Sequence, residues 1–232
     1  MAYFNMIELR EDEYKKANKE YSISFQAHNI TQMFMHFLPK VQIDGSSKIS
    51  ILFEEKPEDK PQYFRSDYFH VSTYYVDEAI LDIANKISLV EKNEFFLSVI
   101  ENALIDIANI NGNIEVVESI HQVAERVREY NYEMLLKIDK LSKKSKDRKY
   151  KAITYIKINS LGECAYVEIT DDKKQVQKVD ITEPITFVSL NQVIKKCEWK
   201  EYCFIMMGNL GKELVSIDLS EENVKVKSVY KR

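Results

Sequence analysis

The sequence predicts an α+β protein, and three observations carry that prediction. Apolar and polar residues alternate with a period of two in the N-terminal segments. They recur at spacings of three and four between residues 80 and 141, then return to a period of two after residue 152. Period two marks strands and period 3.6 marks helices, so the order is a β-containing N-terminal part, a three-helix middle and an antiparallel β-rich C-terminal part. Strands and helices do not alternate one by one, so a doubly wound parallel sheet is not expected.

Residues 3–9 read as a short strand, and Glu11 to Tyr21 as one or two helical turns. Ile23, Phe25 and Ala27 alternate with polar neighbours and read as a half-buried strand. Asp44-Gly45-Ser46-Ser47 is a turn, after which Ile49, Ile51 and Phe53 alternate as a strand. The charged, proline-bearing stretch Glu54 to Pro61 reads as an exposed loop, and residues 63–76, aromatic and β-branched, as one strand.

Ile80, Ile83, Ile87 and Val90 then fit a first helix face. Asn93 is the expected cap of a second helix, which Asn111-Gly112-Asn113 ends, glycine supplying the positive φ that helix termini favour. The third helix carries Val117, Ile120, Ala124, Val127, Met134, Leu135, Ile138 and Leu141 and is expected to run over 25 residues. Segments 152–158, 164–170 and 175–181, separated by Asn159-Ser160-Leu161-Gly162 and Asp171-Asp172-Lys173-Lys174, read as a β-meander, with further strands at 185–190, 202–207, 213–219 and 223–230.

Composition excludes several classes. Hydrophobic residues make up 45% and charged residues 30% of 232 residues, which is globular rather than disordered. No apolar run is long enough to span a bilayer, and the first residues lack a basic and then apolar leader pattern, so a cytoplasmic location is expected. The three cysteines, Cys164, Cys197 and Cys203, match no zinc spacing and read as free thiols, with Cys164 and Cys203 as core residues.

The net charge of −4 is unevenly spread. Residues 1–142 carry a net of −9, residues 143–151 a net of +5, and residues 152–232 a net of zero. This divides the chain into an acidic α+β domain (1–142), a basic connector (143–151) and a β-rich domain (152–232). The connector reads as a solvated link, and direct nucleic-acid binding is not expected from a short basic run beside an acidic domain.

No phosphate-cradling glycine loop, nucleophile elbow or HExxH is present. His70-Val71-Ser72 is the best local catalytic candidate, because i and i+2 on a strand share a face. It resembles one half of the H-x-[S/T] signature of 2H phosphoesterases, which need a second copy. The other histidines are followed two places on by Ile30, Leu38 and Val123, so that copy is missing. Cys197 has only Lys195 and Lys196 nearby to activate a thiolate. The acid pairs Glu54/Glu55, Glu58/Asp59, Asp171/Asp172 and Glu221/Glu222 lie in turns, where no burial splits their pKa values.

With no metal or cofactor expected, the sequence points to a non-catalytic, protein-binding module. The reading that fits an acidic N-terminal part is a bacterial immunity protein (antitoxin) that inhibits a basic toxin, such as a nuclease. The alternatives are a phosphodiesterase or RNA-processing enzyme using His70, and a regulatory binding protein. Acids beside aromatics suit a hot spot with a charged rim, so Glu54, Glu55, Glu58, Asp59, Trp199, Glu201 and Tyr202 are the expected contact residues.

Overall fold

The structure is a computed structural model describing residues 3–11, 23–84, 86–185, 189–220 and 224–230. The chain divides into two compact units, Met1–Glu133 and Met134–Arg232. Among the described residues no helix is long and apolar enough to cross a membrane. The fold class is α+β, as the periodicity indicates.

In the first unit, β1 (Met6–Glu11), β2 (Lys48–Phe53), β3 (Tyr63–Ser66) and β4 (Val71–Val76) form one sheet in the order β1-β2-β4-β3. β1, β2 and β4 run parallel and in step, Glu11 opposite Phe53 and Phe53 opposite Val76, while β3 is antiparallel to β4. Ile7, Leu9, Ile49, Ile51 and Phe53 are buried on one face. The helical chain between β1 and β2 is α1 (Ile23–Gln26) and α2 (His28–Phe37). The alternation at Ile23, Phe25 and Ala27 therefore belongs to helix, not strand. The buried positions Ile23, Ala27, Ile30 and Phe34 are spaced by four, three and four, and five alternating residues could not separate the two periods. The helical turns expected over Glu11 to Tyr21 fall almost entirely outside the described residues.

After β4 come α3 (Ala79–Ala84), α4 (Leu89–Ile110) and α5 (Ile114–Glu129). The cap of α4 is Ser88, not Asn93. Ser88 and Glu91 form a reciprocal capping box, with Glu91 Oε2 accepting from Ser88 N at 2.8 Å. Asn93 is buried inside the helix, where its side chain accepts a 3.1 Å hydrogen bond from Asn29. α4 stops at Asn111-Gly112-Asn113, with Gly112 at φ +68°.

α5 ends at Glu129, twelve residues short of Leu141. Asn131 and Tyr132 both adopt positive φ, and the chain then enters β5 (Met134–Lys137). Met134 and Ile138 are four apart, a spacing that suits a strand as well as a helix, and this ambiguity lengthened the expected helix.

An ion-pair cluster clamps α5 to α4. Arg128 reaches Glu94 at 2.9 Å, Glu101 at 2.9 Å and Glu125 at 2.7 Å. Glu94 also accepts from Tyr132 Oη at 2.6 Å and from Ser98. Hydrogen bonds to Glu94 raise the Arg128 pKa, and burial followed by the bond to Glu94 pushes Tyr132 up to about 12. Burial acts to raise Glu94, but its bonds to Arg128, Tyr132 and Ser98 outweigh it and hold the carboxyl below its ordinary range.

The second unit holds two antiparallel sheets. In the first, β7 (Lys151–Asn159), β8 (Gly162–Thr170) and β9 (Val176–Asp180) are the meander read from the sequence, and β5 and β6 (Lys143–Lys144) both pair with β7. The second runs β10 (Lys196–Lys200), β11 (Cys203–Met207), β12 (Glu213–Asp218) and β13 (Lys225–Ser228) in sequence order. The strand expected at 185–190 is a single bridge, Ile185 to Glu163, followed beyond the undescribed residues by the one-turn helix α6 (Leu190–Val193). Residues 63–76 are a hairpin rather than one strand.

The boundary between units falls after Glu133 rather than after 142, and residues 143–151 lie inside the second unit. They form the β6–β7 hairpin, not a connector. The charge division sharpens with this boundary. The first unit has 13 basic and 23 acidic side chains, the second 20 basic and 14 acidic.

Removing Arg128 leaves Glu94, Glu101 and Glu125 facing one another without their cation. Arg128→Ala is expected to lower stability by about 2 kcal/mol, the partly exposed setting keeping the cost below that of a fully buried pair. Circular dichroism at the helix band during urea unfolding checks it, since among the described residues every long helix lies in this unit.

Candidate functional site

Three parallel strands ending in step send three chain exits into the same space. β1 ends at Glu11, β2 at Phe53 followed by Glu54 and Glu55, and β4 at Val76 followed by Asp77 and Glu78. These exits, with Asp82 of α3, surround a cleft of about 620 Å³. Its floor is apolar, with Phe53, Tyr75 and Leu81 all buried. Among the described residues its walls carry six carboxylates (Glu11, Glu54, Glu55, Asp77, Glu78 and Asp82) against one cation, Lys56. The Lys56 ammonium is engaged by its own loop, donating to Lys60 O at 2.7 Å and Pro57 O at 3.2 Å.

The cleft is held by its backbone. Glu54 N donates to Val76 O at 3.1 Å, and Tyr75 N donates to Gln62 O at 3.0 Å. The Gln62 side chain donates to Tyr75 O. Asp77 caps α3, accepting from Ala79 N at 2.9 Å. Among the described residues no group of three or more His, Cys, Asp or Glu side chains converges closely enough to hold a metal ion. Glu11 is itself buried and the other five carboxylates are half-buried or exposed, an arrangement that matches an extended positive surface better than a point charge.

The opposite end of the same strands is organised by Asp44. Its carboxylate accepts from Ser46 N at 2.9 Å, Ser46 Oγ at 2.6 Å and Tyr63 Oη at 2.7 Å, and from the Ser72 hydroxyl. Arg65 donates to the main-chain oxygen of Asp44, and its Nε donates to Asp67 at 2.7 Å. Asn111 at the end of α4 reaches Tyr63 Oη at 3.3 Å. Burial acts to raise the Asp44 pKa, and the donors from Ser46, Ser72 and Tyr63 outweigh it, so the carboxyl titrates below its ordinary value. Burial and the Asp44 carboxylate push Tyr63 up.

This arrangement corrects the reading of His70 and Ser72 as a pair on one strand face. His70 is the last residue of the β3–β4 turn, exposed and at φ +50°, outside the regular strand on which i and i+2 share a face. Ser72 is fully buried and turned to Asp44.

Of the expected contact residues, Glu54 and Glu55 stand in the acidic cleft. Glu58 and Asp59 lie at the exposed tip of the loop beyond it. Trp199, Glu201 and Tyr202 belong to the second unit. Trp199 is not a surface anchor. It is 7% exposed, donates from Nε1 to Lys143 O at 3.0 Å, stacks on Tyr150 and meets the tilted ring of Phe204. Tyr202 is 48% exposed in the β10–β11 turn, beside Glu201 at φ +51°. Cys197, not Cys164 or Cys203, is the buried cysteine, and burial pushes its thiol up, against thiolate reactivity. The pair Glu221/Glu222 falls outside the described residues.

Sequence reasoning does not find Glu11, Asp77, Glu78 and Asp82 as cleft walls, nor Asp44 as the organiser of the far end. The acid pairs Glu54/Glu55 and Asp77/Glu78 each directly follow an apolar strand, and that is the available signal. Its meaning depends on the strands being parallel.

Comparison with protein-family models, with curated proteins and with solved structures finds no match to this chain.

Asp44→Ala strands the Tyr63 and Ser72 hydroxyls and the Ser46 amide, and is expected to cost about 3 kcal/mol in urea unfolding at neutral pH. In the native chain the lowered pKa means that the Asp44 carboxylate contributes stability fully present above about pH 4 and lost as pH falls through the folded value. Asp44→Asn removes that acid-side dependence, so the stability gap between the two chains narrows at pH 3.

Proposed function

We propose that this chain is a non-catalytic protein-binding module whose first unit takes a basic protein partner at the acidic cleft. The observation that carries the reading is the cleft itself, where Glu54, Glu55, Asp77 and Asp82 gather at one end of the sheet over an apolar floor. Concentrated negative potential over low-dielectric walls steers a positive surface to one place and orients it on arrival. Phe53, Tyr75 and Leu81, buried beneath the carboxylates, form the low-dielectric floor.

The finer reading is that the partner is a basic toxin domain, a nuclease in particular, and that the chain acts in the cytoplasm as its immunity protein. A nuclease holds positive charge where it receives phosphates. A rim of carboxylates offers that surface the same sign of charge as its substrate, so the inhibitor and the nucleic acid compete for one field. Support for this comes from the charge of the first unit and its concentration at the cleft.

Affinity purification of the tagged full-length chain from its native host tests the proposal. The expected result is one stoichiometric basic protein whose retention falls as salt rises. Glu54→Lys, Glu55→Lys and Asp82→Lys combined are expected to weaken that complex by about 100-fold, like-charge contacts replacing opposite ones. Recovery of no stoichiometric basic partner, or of one whose binding ignores both salt and the triple substitution, overturns it.

A further inference from the structure

We propose that the surface formed by the β6–β7 hairpin and the edge strand β10 is a contact site for the phosphate backbone of a nucleic acid. It lies on the second unit, carries the opposite charge and stands independently of the acidic cleft. Residues 143–151 hold six basic side chains and one acid. As a solvated connector such a run has no fixed geometry. As a hairpin it does. Ser145 N donates to Tyr150 O at 2.9 Å, and Tyr150 N donates to Ser145 Oγ at 3.0 Å. The one acid, Asp147, is consumed by the turn, accepting from Ser145 Oγ at 2.7 Å and from Lys149 N at 3.1 Å.

The hairpin is also pinned to β10. Trp199 donates to Lys143 O, and the Tyr150 ring stacks on the Trp199 ring at 5.8 Å between centroids. Cys197 Sγ meets Lys140 O at 3.8 Å. Lys140 and Lys195 are exposed beside this docking, Lys140 Nζ donating to Asn191 O at 2.6 Å, while Lys196 shares the other face of β10 with Glu198. Burial first and then the charge of Lys195 lower the Lys140 pKa, so these two cations stand near one another.

The surface chemistry selects among polyanions. The fully exposed residues from 143 to 151 are lysines, one arginine and Asp147, with no apolar side chain among them. Protein interfaces place apolar residues at their centre and deplete lysine. Segments that lie on a membrane bring an apolar face to bury. Lysine and arginine spread along strands of a basic unit are the footprint of backbone phosphate contacts. In the sequence alone the basic run is short and isolated, which argues against nucleic acid. Folding fixes it as a hairpin beside Lys140 and Lys195, in a unit with 20 basic and 14 acidic side chains.

Fluorescence anisotropy of the full-length chain with labelled DNA of about 20 nucleotides, single-stranded and duplex, tests this at about 50 mM salt and above. Binding to at least one form is expected, with log Kobs falling linearly with log salt by about 0.9 per duplex phosphate contacted or about 0.7 per single-strand phosphate. Lys143→Glu, Lys144→Glu and Lys146→Glu combined are expected to weaken binding about 100-fold, and the corresponding glutamine variants about 10-fold should charge reversal disturb folding. Lys173→Glu with Lys174→Glu, in the β8–β9 turn, changes it less than about 3-fold. No binding at low salt, equal losses at the two sites, or equal affinity for poly-glutamate or phosphatidylserine vesicles overturns the assignment.

Discussion

The parallel, in-step register of β1, β2 and β4 is the constraint on which the N-terminal unit depends. Main-chain hydrogen bonds place Glu11, Phe53 and Val76 in one row, so the three strands release the chain at the same end. The residues at those exits are acidic: Glu54 and Glu55 after β2, Asp77 and Glu78 after β4. Buried Ile7, Leu9, Ile49, Ile51 and Phe53 hold the sheet that gathers them. Carboxylates gathered at one end favour a positive ligand, which links the fold to the proposed capture of a basic protein.

The same register positions the far end of the sheet. Ser47 N donates to His70 O at 2.9 Å, joining the segment before β2 to the turn before β4. Asp44 then ties that segment to β3 and β4 through Tyr63 and Ser72. A charged group is tolerated there because the donors around it are aimed at it. Arg128 plays the comparable part between α4 and α5, reaching from α5 to Glu94 and Glu101 on one face of α4. In the second unit the link between its sheets near β6 is neutral, Trp199 donating to Lys143 O.

Much of this fold is legible in the sequence where periodicity runs long. The β7–β8–β9 meander and the end of α4 lie where alternation and the Asn111-Gly112-Asn113 punctuation place them. Short segments are less readable. Five alternating residues at Ile23 to Ala27 belong to helix, and Met134 to Leu141 carry a helical spacing into a strand. Ser88 and Glu91 form a capping box plain in the sequence, yet the nearby Asn93 competes with it because asparagine is also a good cap. The site is less legible than the fold. Glu54 and Glu55 stand out by their charge, but their partners Glu11, Asp77, Glu78 and Asp82 join them only through parallel pairing, which leaves no local mark on a sequence. Trp199 fails as a surface anchor for a similar reason: its burial depends on Tyr150 and Lys143, about 50 residues away.

Hydrogen–deuterium exchange on the complex between this chain and its basic partner tests the central claim most directly. Slowed exchange concentrated at residues 53–56 and 76–82, the exits of β2 and β4, is the predicted result. Protection confined to residues 134–232, or to parts of the first unit away from those exits, would contradict it.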